Sequence, residues 1–285
     1  MARGLKFLRL TAGLAVIPFA AFLSASPALA AVTTAPGLGS AANFAVLSAA
    51  PLSGGAVTCT DGAITGNVGS SGARASVVQS SCPITGAITA PVSAQVVANF
   101  NTAYAAYAKI QCGTVLTGTL AGVTLVPGVY CFDAAATLTG TLTLTGSGPW
   151  IFKIGTSGTG ALTGNSFNVV MEGGGQPCNV DWWVAQAATM TDSNFVGTIL
   201  AGAGITLTRG TFAGNALAKA GVTITGTALV GCTAGGTGAH ESRSKCNQGV
   251  GNGAEGCDPG NSIHHNSSND ENGGTPGNPG RKGRK

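Results

Sequence analysis

Three triplets, Thr189-Met190-Thr191, Thr206-Leu207-Thr208 and Thr223-Ile224-Thr225, recur at intervals of 17 residues. On an extended strand, residues i and i+2 point to the same side, about 6.6–6.8 Å apart. Strands stacked about 4.8 Å apart would set these threonines in two parallel columns, a flat lattice of hydroxyl and methyl groups. The chemistry of such a lattice is done on water. Hydroxyls anchor water molecules, methyls order their neighbours, and a side chain already stiff at χ1 loses little freedom in doing so. The same reading extends the lattice through Ser193 and Asn194, through Thr211 and Thr227, and back to Thr163 and Asn165.

Reaction chemistry has much less to work with. Residues 31–235 contain no histidine; His240, His264 and His265 all lie beyond them. Ser-His-Asp and Cys-His arrangements are therefore excluded from that stretch. Its acids, Asp61, Asp133, Glu172, Asp181 and Asp192, are scattered and lack calcium-loop spacing. No glycine-rich phosphate loop joins a strand to a helix. A polysaccharide-cleaving groove would need a cluster of acids with a base, which this charge-poor stretch does not supply. The expectation is a protein that is not an enzyme, with no catalytic residues, no cofactor and no metal site.

Only 8% of the 285 residues are charged, against 44% hydrophobic. The five acids named above are balanced within 31–235 by Arg74, Lys109, Lys153, Arg209 and Lys219, so the net charge of +4 comes from the ends. No basic patch is present to neutralise several phosphates, and nucleic acid is not an expected partner.

Residues 1–30 read as a secretory signal peptide. Arg3, Lys6 and Arg9 precede an apolar run from Leu10 to Leu23, and Ala28-Leu29-Ala30 offers a cleavage site. No other stretch approaches the length of a membrane span. Export places the eight cysteines in an oxidising compartment, where a disulfide framework is expected. The sequence leaves many connectivities open. The simplest is sequential: Cys59–Cys82, Cys112–Cys131, Cys178–Cys232 and Cys246–Cys257.

The elements that must position the threonines follow from the 17-residue period. It is too short for a helical hairpin and suits one coil of a β-solenoid. Met190/Leu207/Ile224 and Phe195/Phe212/Leu229 form apolar columns pointing inward. One coil cannot bury its own apolar side, so coils must stack. Further strands are expected at 63–68, 84–88, 137–145, 150–154, 167–171 and 180–184, with a turn at Val126-Pro127-Gly128-Val129. Pro91 to Gln111 breaks the pattern. Val92, Val96, Val97, Phe100, Ala103, Tyr104, Tyr107 and Ile110 follow a 3.6-residue period, which predicts one amphipathic helix along the stack, with Tyr104 and Tyr107 as packing residues. Residues 236–285, rich in Gly, Asn, Pro and Ser, read as a disordered tail. The expected domains are thus a signal peptide at 1–30, a β-solenoid at 31–235 and a tail at 236–285.

Ice is the ordered-water surface that such a lattice fits. Its two spacings are close to repeat distances on ice planes, and the scarcity of charge leaves an ice-like water layer undisturbed. Threonine also favours strands for intrinsic reasons. The same ladders therefore suit a non-catalytic structural or adhesive protein of the cell surface or extracellular matrix.

Several stretches carry a family resemblance over about residues 37–232. They include Leu38-Gly39-Ser40-Ala41-Ala42-Asn43-Phe44-Ala45-Val46-Leu47, Leu125-Val126-Pro127-Gly128-Val129-Tyr130, Trp150-Ile151-Phe152-Lys153-Ile154-Gly155 and Cys178-Asn179-Val180-Asp181-Trp182-Trp183-Val184. Phe195-Val196-Gly197-Thr198-Ile199-Leu200-Ala201 and Gly214-Asn215-Ala216-Leu217-Ala218 fit as well. Together they resemble the bacterial and fungal ice-binding-like family (type 1 ice-binding proteins). The resemblance implies a mostly β fold, a right-handed discontinuous β-solenoid of triangular section with one long α-helix alongside. It implies adsorption to ice through a flat face, often carrying T-A/G-x-T/N. With the signal peptide, the expectation is a secreted, antifreeze-type monomer that inhibits ice growth or recrystallisation. Asp192 and Arg209 depart from that pattern where a small residue is expected. Being 17 apart, they are placed to pair across coils, and a charged pair on the face would weaken contact with ice.

Overall fold

The computed structural model describes residues 34–51 and 54–232, besides Met1. The segment read as a signal peptide, the tail and the Cys246–Cys257 expectation lie outside the described residues. What is described is mostly β, with parallel sheets and one helix.

The strands follow in chain order as β1 (Val46–Ser48), β2 (Val57–Thr60), β3 (Ala63–Thr65), β4 (Val68–Ser70), β5 (Val77–Ser80) and β6 (Ile88–Thr89). Helix α1 (Ala94–Lys109) comes next. After it run β7 (Thr114–Val115), β8 (Val123–Leu125), β9 (Gly128–Phe132), β10 (Ala136–Thr145), β11 (Trp150–Ile154) and β12 (Leu162–Glu172). The last six are β13 (Val180–Val184), β14 (Ala188–Val196), β15 (Thr198–Ala201), β16 (Ile205–Ala213), β17 (Ala216–Ala218) and β18 (Val222–Val230). The expected strand at 63–68 is two strands, because Gly66 turns the chain at φ 128° and sends β3 and β4 to different sheets. At 84–88, Ile84 makes only an isolated bridge to Ile64, and β6 follows.

One sheet has the order β6-β4-β1-β17-β15-β13-β11-β9-β7, the other β5-β2-β18-β16-β14-β12-β10-β8, with β3 also on β18. From β9 onward each coil gives one strand to the first sheet and one to the second. Spatial order departs from chain order at one place. The N-terminal β1 lies between β4 and the C-terminal β17, and β2 lies against β18. The chain starts in mid-stack, runs to one end at β6, crosses along α1 to the other end at β7, and coils back to meet its own beginning. The ladder is continuous in space and discontinuous in sequence.

The first sheet is buried on both sides, as all-buried β11, β13, β15 and β17 show. One side faces the second sheet across an aromatic core, where Phe152 stacks on Trp182 at 3.9 Å between centroids and Phe195 on Phe212 at 5.3 Å. Leu47, Ile151, Trp183, Leu200 and Leu217 on the other side pack under Val96, Phe100, Ala103, Tyr104 and Tyr107 of α1. These contacts come from β1, β17, β15, β13 and β11. A 16-residue helix is about 24 Å long, enough to cover the roughly 19 Å that five strands spaced about 4.8 Å apart span. The helix is shorter than the expected Pro91–Gln111, because Ser93 and Ile110 are both extended and stop it at either end. Lys153 reaches from β11 to donate to the carbonyls of Ala108 and Ile110, where a helix C-terminus leaves acceptors unpaired.

Three disulfides join Cys59–Cys82, Cys112–Cys131 and Cys178–Cys232, and no described cysteine is free.

Candidate functional site

The second sheet alternates inward and outward, so one side is solvated. Five of its strands, β10, β12, β14, β16 and β18, are 9 to 11 residues long and carry a left-handed residue near the middle. Before the kink, the outward residues form two columns. The first runs Thr137–Thr163–Thr189–Thr206–Thr223–Thr58 and ends on Val78. The second runs Asn165–Thr191–Thr208–Thr225–Thr60 and ends on Ser80. Thr206 thus sits between Thr189 and Thr223, as the 17-residue spacing requires. Met190, Leu207 and Ile224 point the other way into the core. None of the strand segments bearing these columns contains a charged residue.

Thr58, Thr60 and Thr137 are rungs that the periodicity does not find. They stand in the same Thr-x-Thr form, as Thr58-Cys59-Thr60 and Thr137-Leu138-Thr139. Their spacing is not 17, and β2 joins the ladder only where the chain meets its own beginning.

The kink is a column of left-handed residues. Ser166, Asp192, Arg209, Gly226, Asp61 and Ser81 have φ of 48°, 50°, 56°, 61°, 51° and 49°, while on β10 the left-handed Gly140 falls opposite Phe167, one position later. A single left-handed residue in an extended chain bends it and resets the in/out alternation. That reset corrects the expected site at two positions. Ser193 and Thr227 are each 2% exposed and point inward. Ser193 Oγ donates to the Thr191 carbonyl at 2.8 Å and accepts from the Phe167 amide at 3.1 Å. Asn194 and Thr211 are exposed but lie beyond the kink, in a separate file, Thr141–Asn168–Asn194–Thr211–Ala228.

The two files differ in what their polar groups do. Beyond the kink, Asn194 Nδ2 donates to Asn168 Oδ1 at 2.8 Å, and Thr211 Oγ1 donates to Asn194 Oδ1 at 2.9 Å. Those groups satisfy one another. Among the described residues, no threonine hydroxyl of the first two columns has a protein hydrogen-bond partner. Their donors and acceptors are left to water.

Asp192 and Arg209 do pair across adjacent coils. Arg209 Nε meets Asp192 Oδ1 at 2.6 Å, and Nη2 meets Oδ2 at 2.7 Å. Their side chains remain 44% and 61% exposed. The hydrogen bonds from Arg209 hold the Asp192 carboxyl below its usual range and push the guanidinium up. Among the described residues no group of histidine, cysteine, aspartate or glutamate is arranged to hold a metal.

Residues 46–230 match the family described as ice-binding-like. The chain belongs to that family. An ice-binding protein of Nostoc sp. (strain HG1) is 40% identical over 92 residues, 30% of this chain and 33% of that protein. Another from Flavobacterium frigoris (strain PS1) is 34% identical over 91 residues, 30% of this chain and 32% of its own. The matched segment thus spans about a third of each of these relatives. The crystal structure of an ice-binding protein from the Antarctic ascomycete Antarctomyces psychrotrophicus superposes with a TM-score of 0.60 at 30% identity. That match covers 69% of this chain and 98% of the fungal protein. Within the ice-binding-like family, the threonine columns are this chain's regular, uncharged, unpaired surface.

Proposed function

We propose that the protein adsorbs to ice through the two threonine columns and thereby inhibits ice growth or recrystallisation. The observation that carries this reading is the set of threonine hydroxyls without protein partners, held in register on an uncharged ladder. Six threonine rungs at about 4.8 Å give a face about 24 Å long. The contact residues are Thr137, Thr163, Asn165, Thr189, Thr191, Thr206, Thr208, Thr223, Thr225, Thr58 and Thr60. Ser193 and Thr227 are left out because they point inward. No residue is assigned a catalytic role.

We read the stack as a right-handed solenoid of triangular section. Three four-residue segments per coil support this, such as 198–201, 205–208 and 210–213. The protein acts as an exported monomer, with residues 1–30 removed, 31–235 as the ice-binding domain and 236–285 as a tail. The disulfides fit an oxidising compartment.

Thr208→Glu tests the face. Thr208 is central in its column and half-exposed, so folding stability should change by no more than about 0.5 kcal/mol. Thermal hysteresis and recrystallisation inhibition should be lost, while circular dichroism and the melting temperature stay the same. Full activity in this variant would place ice contact elsewhere. A parent protein that neither shapes nor adsorbs to ice would favour a structural role at the cell surface or in the matrix.

A further inference from the structure

The kink carries charge that the threonine columns lack altogether and the second file nearly lacks. Beyond it, β10, β12, β14, β16 and β18 present Thr, Asn, Val and Ala outward, and Glu172 at the far end of β12 is their only charged residue. This second file is also in register, with Thr211↔Ala228 and Ala213↔Val230 on adjacent coils. Val170 and Val230 are exposed. Two regular surfaces, charge-free apart from Glu172 at one extremity, therefore meet along one line, and a bidentate ion pair stands in the middle of that line with Asp61 two rungs from Arg209.

Nothing in the backbone requires those residues there. Glycine fills the equivalent position at Gly226, where left-handed φ costs it nothing. Arginine is poorly suited to φ 56°. Asp192 and Arg209 are both solvated, and stripping water from charged groups is costly. An ordered water layer grown over the threonine columns meets an exposed ion pair, whose charges orient water in their own way, before it reaches Asn194 and Thr211.

Building on the ice reading above, we infer that the Asp192–Arg209 pair is a specificity-determining boundary. It confines ice contact to the threonine columns and keeps the second file from joining them. The pair thereby selects which ice planes are bound. With the pair neutral, the surface becomes continuous from β12 to β18, Asp61 remaining as a charge only at the next rung, and the protein recognises an additional set of planes.

The test compares four fluorescently labelled full-length proteins adsorbed to a single-crystal ice hemisphere. They are wild type, Asp192→Gly/Arg209→Gly, Asp192→Asn/Arg209→Asn, and the swapped pair Asp192→Arg/Arg209→Asp. Glycine and asparagine both tolerate the left-handed conformation, so two independent neutral variants guard against a folding defect in one. Wild type and the swapped pair should label one set of planes. Both neutral variants should label further planes and show greater thermal hysteresis at equal concentration. Adding Asn194→Lys to either neutral variant should erase the added planes and leave the original set. Neutral variants that keep the wild-type pattern and hysteresis would overturn the boundary while leaving the threonine face standing. A wild type that leaves the hemisphere dark would overturn the ice reading and the boundary with it.

Discussion

Ser193→Ala separates what the kink turns inward from what it leaves outside. Ser193 Oγ is the acceptor for the buried Phe167 amide at 3.1 Å and also donates to the Thr191 carbonyl at 2.8 Å. Deleting it leaves a buried N–H without a partner, which costs about 1–3 kcal/mol. For a domain of roughly 150–250 residues, each kcal/mol moves the melting temperature by about 2–4 °C. The expected fall is therefore roughly 2–12 °C, read by circular dichroism. Ice adsorption, measured near 0 °C and far below the transition, should be unchanged. Thr191→Tyr, two residues earlier and outward, is the counterpart. Tyrosine suits a strand, so the melting temperature should hold, but the ring projects from the lattice and adsorption should fall sharply. A Ser193→Ala protein with an unchanged melting temperature and weakened adsorption would refute the inward assignment and the phase reset behind it.

Two further outcomes follow from the core and from the helix. Trp182 is fully buried, stacks on Phe152 and donates its indole N–H to the Val196 carbonyl at 3.0 Å. Trp182→Ala should therefore cost about 3–5 kcal/mol in chemical denaturation. Burial pushes the Tyr104 phenol up to about 12 and raises Tyr107 well above its ordinary value. Tyrosines of the unfolded chain ionise near pH 10, so the folded state binds the proton more tightly. This stabilisation should be complete below about pH 10 and be lost as pH rises towards 12. Ultraviolet titration of the native protein should show phenolate absorbance lagging behind that of the denatured chain.

The threonine columns from Thr189 to Thr225 could be read from sequence because equal spacing in the chain becomes equal height in the stack. Thr58 and Thr60 could not, since β2 reaches β18 across the break in chain order and no period spans that join. Ser193 and Thr227 were misplaced for a local reason. Strict alternation puts them beside Thr191 and Thr225, but one left-handed residue inverts the phase. Gly226 is the residue expected at such a position, whereas Asp192 and Arg209 occupy the same conformation without announcing it. The helix was legible because its buried residues, Val96, Phe100, Ala103, Tyr104 and Tyr107, keep a 3.6-residue period. The extended Ser93 that delays its start lies outside that pattern.

An open-ended repeat protein grows by duplicating a unit, because each unit contacts only its neighbours. This molecule is not free to grow that way. Duplicating one 17-residue coil would lengthen the stack by about 4.8 Å. The chain must still travel from β6 at one end to β7 at the other, and α1 is the span that carries it. At about 1.5 Å per residue, each added coil would call for roughly three more helical residues. The helix would also need a new apolar side chain aimed at the extra strand. Coil number and helix length must therefore change together, in distant parts of the gene. Natural variation should resize the exposed ladder rarely and in whole steps, with substitution along existing rungs as the easier route to altered activity.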